Sequence, residues 1–155
     1  MNSKAAGGGI GVMLVDDHAV VRMGFRLLLE GSADIKVVAE ADSGEDACRK
    51  FPEVRPDVVV MDISMPGIGG LEAIDRILAR EPAARILVLS AHEDAMHARR
   101  VLKAGAAGYL TKRSAAEALM QAIRQVHQAR LSWNRKSHSR WQCSRSTGSA
   151  ILSTC

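Results

Sequence analysis

At 155 residues, 47% hydrophobic and 25% charged, the chain is long enough for one domain with a sizeable core and too apolar to be disordered throughout. The formal charge of +4 does not describe a basic domain, because residues 1–129 carry 16 Lys and Arg against all 17 acids, whereas residues 130–155 carry five basic residues and no acid. Cys48, Cys143 and Cys155 have neither zinc-ligand nor disulfide-framework spacing, residues 1–9 lack the apolar core of a secretory signal, and no stretch reaches the roughly 18 apolar residues of a membrane helix, so a soluble cytoplasmic protein is expected.

After a flexible lead over residues 1–9, Ile10 to Val15 reads as a short apolar strand ending in Asp16 and Asp17. Gly7, Gly8 and Gly9 precede that strand, whereas a dinucleotide fingerprint needs glycines after it, and no Lys-Ser or Lys-Thr makes a phosphate loop. Val21, Phe25 and Leu28 recur at helical spacing, with Gly31 as a stop. Ile35 to Ala41 is strand-like, Ser43 can cap a helix through Phe51, and Pro52 and Pro56 bracket the next turn. Val58 to Asp62 is an apolar run of the kind that suits a strand buried on both faces, and it ends in a carboxylate. Leu71, Ile74 and Leu78 then form a helical stripe. Ile86 to Leu89 is a fourth strand ending at Ser90, and Asp94 to Ala104 a fourth helix that Gly105 terminates. Gly108 to Thr111 is a brief fifth strand before Lys112, and Ser114 can cap a last helix carrying Leu119, Ala122, Ile123 and Val126.

Strict β-α alternation implies a doubly wound α/β fold: a parallel sheet, right-handed crossovers and helices on both faces. In such a sheet a ligand site lies beyond the carboxyl ends of the strands. Asp16, Asp17, Asp62, Ser90 and Lys112 all fall at or just after strand ends, four strands contributing to one edge. Three carboxylates gathered there repel unless a cation intervenes, and oxygen-only donors suit a hard ion such as Mg2+. A carboxylate can also act as a nucleophile towards a phosphoryl group when Mg2+ and a lysine neutralise the incoming charge. Two other chemistries fall away. His92 and His97 are five apart, not the four that places both on one helical face, and Ser90 lacks a nucleophile elbow. His18 reads as a solvent-facing residue at a helix start.

Leu14-Val15-Asp16-Asp17-His18, Met61-Asp62-x-x-Met65-Pro66-Gly67, Ser90-Ala91 and Gly108-Tyr109-Leu110-Thr111-Lys112 together resemble a bacterial response-regulator receiver domain over residues 10–128. Asp17-His18 and Pro66-Gly67-x-Gly69-Gly70-Leu71-Glu72 resemble its NarL/FixJ (LuxR-type) subfamily. The resemblance implies a flavodoxin-like, CheY-like (βα)5 sheet of order 2-1-3-4-5, with the domain spanning residues 10–129. It implies that Asp62 accepts a phosphoryl group from a histidine kinase, and that Asp17, Asp62 and the Ser64 backbone carbonyl ligate Mg2+, with Asp16 acting through a water. Lys112 and Ser90 would bind the phosphoryl oxygens, and Ser90 and Tyr109 would form the switch, Tyr109 turning inward. A homodimer on phosphorylation is plausible for such regulators. Arg113 departs from the proline common after that lysine. An aspartyl-phosphate phosphohydrolase is the enzymatic alternative, but Ser64 stands where a second acid would be expected; a stand-alone receiver signalling by protein binding is the other.

Residues 130–155 change character, with both tryptophans, Trp133 and Trp141, seven serines and no apolar period. In the resembled subfamily a helix-turn-helix module would follow and bind DNA, and nothing here resembles one. The expectation is a basic, disordered tail without strand or helix, or one translated out of frame.

Overall fold

In the computed structural model, which describes residues 9–65, 67, 69–91, 95–133 and 150–152, the apolar runs pair into one sheet. The chain runs β1 (Ile10–Val15), α1 (Ala19–Glu30), β2 (Ile35–Ala41), α2 (Gly44–Val54), β3 (Val58–Asp62), α3 (Gly69–Arg80), β4 (Ile86–Ser90), α4 (Ala95–Lys103), β5 (Gly108–Thr111), α5 (Lys112–Trp133) and β6 (Ala150–Leu152). The first five strands are parallel and lie in the order β2-β1-β3-β4-β5, as the family resemblance implied.

Alternation along the strands builds two cores. Met13, Val15, Val59, Met61, Ile86, Val88 and Tyr109 face α2, α3 and α4. Ile10, Val12, Leu14, Val58, Val60, Leu87, Leu89 and Leu110 face α1 and α5, where Leu119, Ile123 and Val126 close the layer. β3 is buried at every position because both neighbours are strands and both faces carry helices. Its burial fixes register, since a one-residue slip would exchange the two cores.

Local chemistry sets the element ends. Ser43 Oγ accepts the Asp46 N–H at 3.1 Å, capping α2 as expected. At the C-terminus of α4, the Gly105 N–H bonds Leu102 O and the Ala106 N–H bonds Val101 O, a Schellman closure that requires the positive φ of 111° at Gly105. Gly70 serves close approach: a Cβ there would lie 2.5 Å from Ile63 Cα, so only glycine lets α3 start against the end of β3.

Five expectations change. Helix α2 continues through Pro52 to Val54: the proline forgoes its own N–H bond and crowds the carbonyl one turn back, but the last turn still closes through Arg55 N–H to Phe51 O at 2.8 Å. Thr111, not Ser114, caps α5: the helix starts at Lys112, so Ser114 occupies its third position and gives its N–H to Thr111 Oγ1. In α1 the fully buried residue is Leu29, with Val21, Phe25 and Leu28 only half buried. On α3 the buried apolar residues are Ala73, Ile74 and Ile77, with Leu71 and Leu78 at the margin. Finally, α5 extends to Trp133, and Ala150–Leu152, placed in an unstructured tail by the sequence, pairs antiparallel with β5, its backbone opposite Gly108 to Leu110. A three-residue strand is too short to show periodicity, so pattern reading passes over it. The rest of the tail from residue 134, with His92 and Asp94, lies outside the described residues.

Candidate functional site

The register of the sheet assembles the site. β1 pairs with β3 so that Val15 stands opposite Met61, which brings the next residues, Asp16 and Asp62, side by side. β4 pairs with β5 so that Ser90 stands opposite Thr111, and Lys112 follows one residue later. One sheet edge therefore collects all five strand-end residues that the sequence singled out.

Asp62 is 0% exposed, and both of its oxygens are engaged: Oδ1 accepts the Ser64 backbone N–H at 2.9 Å and Oδ2 accepts from Lys112 Nζ at 3.0 Å. Ser64 thus contacts the site through its N–H. Lys112 Nζ also lies 3.3 Å from Asp16 Oδ2. Partial burial opposes the Lys112 charge, but the hydrogen bond to Asp62 and the attraction of Asp62 and Asp16 outweigh it and hold its pKa above the usual lysine value. Asp16 is 4% exposed, and its Oδ1 takes the His18 backbone N–H at 2.8 Å. Ser90 is buried at the end of β4, and Tyr109 is buried too, packed in the core beside α4.

Asp16 Oδ2 and Asp17 Oδ1 are shielded from water, and the groups beside them among the described residues are the Lys112 ammonium, 3.3 Å from the first, and the His18 imidazole, 3.0 Å from the second. Such oxygens are costly to bury unless a cation meets them. Donor atoms of Asp16, Asp17, His18 and Asp62 all lie within 4.8 Å of one another. This donor set fits a hard divalent ion held by carboxylates.

Two contributors escaped the sequence reading. His18, expected to face solvent, is 63% exposed at its side chain yet places Nδ1 3.0 Å from Asp17 Oδ1 and 3.3 Å from Asp16 Oδ1. Its adjacency to the acidic pair was the signal available. Arg22 donates from Nη1 to the Asp16 carbonyl at 2.6 Å and from Nε to Glu40 at 3.0 Å, tying the acidic loop to α1 and β2. Its position one helical turn after His18 carries that hint only once the acid pair is known to matter.

Comparison with known proteins decides the family. The description "Response regulator receiver domain" matches residues 12–124. The chain belongs to the response-regulator receiver family. The receiver is 45% identical over 117 residues to response regulator GacA of Pseudomonas aeruginosa, covering 76% of this chain and 55% of that protein. It is 48% identical over 118 residues to response regulator UvrY of Escherichia coli K12, covering 76% and 54%. A crystal structure of a LuxR-family two-component response regulator from Aurantimonas superposes with a TM-score of 0.76 at 43% identity, covering 78% of this chain and 86% of that one. The chain spans about half the length of the curated relatives it matches. Among the described residues, no helix of the receiver is long and apolar enough to cross a membrane.

Proposed function

We propose that this receiver is the phosphoacceptor unit, residues 10–129, of a cytoplasmic two-component transcriptional regulator, and that Asp62 takes its phosphoryl group from a histidine kinase. The observation that carries the reading is Asp62 itself: a fully buried carboxylate at a strand end, steadied by the Ser64 N–H on one oxygen and the Lys112 ammonium on the other.

A carboxylate oxygen of Asp62 attacks phosphorus, the bond from phosphorus to the kinase imidazole nitrogen breaks, and its electron pair returns to that nitrogen. Water later attacks the acyl phosphate, releasing inorganic phosphate and restoring the carboxylate. The chain supplies both steps itself, so the activity is a self-catalysed switch without a metabolic substrate. Asp17, Asp62 and the Ser64 carbonyl, with Asp16 through a water, would hold Mg2+, which would supply positive charge against the transferring group. Lys112 contributes the second positive charge, and the Ser90 hydroxyl, after a short move, a hydrogen bond to a phosphoryl oxygen. That move draws on Tyr109, whose ring shares the core with Ala98 and Val101 of α4, and so alters the surface of α4, β5 and α5. The altered surface favours a homodimer or another protein partner. Control of DNA would pass through an output module such as the relatives' additional length accommodates.

Incubation with acetyl phosphate and Mg2+, followed by intact mass measurement, tests this. The wild type gains one phosphoryl group and Asp62→Ala does not; equal uptake by both would overturn the assignment.

A further inference from the structure

Resting on the cation reading proposed above, we infer that Arg22 is a positioning residue for that site: it fixes the peptide between Asp16 and Asp17, and through it the placing of the Asp17 carboxylate. A peptide group is planar, so whatever holds its carbonyl also sets the direction in which the next residue leaves. Arg22 Nη1 donates to the Asp16 carbonyl at 2.6 Å. The Asp16 N–H goes to Ala41 O at 3.1 Å, so the backbone entering the acidic pair is held on both sides of Asp16.

The guanidinium is itself anchored. Its Nε donates to Glu40 Oε1 at 3.0 Å, while Arg26 Nη1 holds Glu40 Oε2 at 2.5 Å and Lys50 Nζ holds the Glu40 carbonyl at 2.7 Å. The Arg22 side chain is only 19% exposed, low for an arginine, and its planar fork reaches the carbonyl and the carboxylate at once. Its bonds also separate positioning from neutralisation. Among the described residues Arg22 bonds a carbonyl and Glu40 and neither carboxylate of the acidic pair, whereas Lys112 goes directly to Asp62 and Asp16. A positive charge that merely stood near the acids would repel an incoming cation, so its removal would tighten binding. A group that orients a ligand strengthens binding, so its removal weakens it. The two roles carry opposite signs.

The test is a Mn2+ titration of the full chain, read from the free-ion signal in electron paramagnetic resonance, with Mg2+ as competitor and far-UV circular dichroism to show that each variant is folded. Arg22→Met should raise the Mn2+ dissociation constant about tenfold. Arg22→Lys, which keeps the charge and gives up the fork, should fall between that variant and the wild type. Arg26→Met, which removes an equal charge from Glu40 and leaves the Asp16 carbonyl held, should not weaken binding. Binding as tight as wild type or tighter in Arg22→Met, or in Arg22→Lys should the methionine variant not fold, overturns the role of Arg22 and leaves the acidic site intact. A loss in Arg26→Met equal to that in Arg22→Met overturns it as well, because the bond to the Asp16 carbonyl would then not be the cause. A wild type without a Mg2+-displaceable Mn2+ site overturns the cation reading itself, and the role of Arg22 with it.

Discussion

Lys112 and Asp62 lie fifty residues apart in the chain and meet at 3.0 Å, the ammonium reaching across β4 to a carboxylate that water does not touch. Removing one partner of a fully buried pair costs about 3–5 kcal/mol, because the other charge is left uncompensated. Lys112 is 23% exposed, so solvent screening lowers the expected loss for Lys112→Met to roughly 1–2 kcal/mol. The sign with pH follows from a pKa raised above the ordinary 10.5. The stabilisation is complete below that value and is lost as pH rises through the higher folded-state value. Urea denaturation of wild type and Lys112→Met should therefore differ at pH 7 and converge in strong alkali, and the variant should take up phosphoryl groups more slowly.

Thr111 begins α5 with its side chain rather than its backbone, accepting the Ser114 N–H at 3.3 Å. Thr111→Val keeps the shape and deletes the acceptor, for an expected loss of about 1 kcal/mol. Ser114→Ala keeps that bond and should cost less. Chemical denaturation of the two variants ranks the residues, and the opposite ranking would return the cap to Ser114.

Gly70→Ala tests the packing under Asp62. The added methyl group would meet Ile63 Cα at 2.5 Å and Asp62 O at 2.9 Å, both backbone atoms that cannot rotate away. An overpacking loss of about 1–3 kcal/mol is expected, with slower phosphorylation because the strain falls on the segment carrying the acceptor. Thermal melting and acetyl phosphate uptake, measured on the same sample, should fall together.

Much of this was legible in the sequence because it is periodic. The apolar run Val58 to Met61 suited a doubly buried strand, and acids at the ends of two such strands share an edge once the sheet is parallel. What escaped depended on third partners. Which residue of α1 is buried turns on how that helix rolls against the sheet, and Leu29 wins over Leu28 by one residue. Pro52 looks like a stop until the Arg55 N–H closes the turn behind it. Arg22 appears as a surface arginine until the Asp16 carbonyl is found beside it. His18 does face solvent at the start of α1, as its position suggested, and its contact with Asp17 shows only once the strand end is built.

Arg124 of α5 clasps the turn before β2, donating from Nε to Asp34 Oδ2 at 2.7 Å and from Nη2 to Ser32 Oγ at 2.8 Å. Its hydrogen bond, helped by that of Ser32, holds the Asp34 carboxyl well below the ordinary 3.8. A depressed folded-state value means that this contribution is present above about pH 4 and is lost as pH falls through the lower value. Arg124→Ala should therefore weaken the protein at neutral pH and flatten the acid limb of its stability curve. Denaturation midpoints from pH 7 down to pH 2 check the slope, and parallel curves would count against the clasp.

The order of the strands also bears on when the chain becomes competent. Asp16 arrives on β1, Asp62 on β3 and Lys112 only after β5, so the acids are gathered before their counter-charge exists. Closing that span is the long-range step that costs most loop entropy. A nascent or clipped chain lacking β5 and Lys112 would hold mutually repelling carboxylates without that phosphoryl-binding cation, so chemical readiness itself reports that the fifth strand is in place.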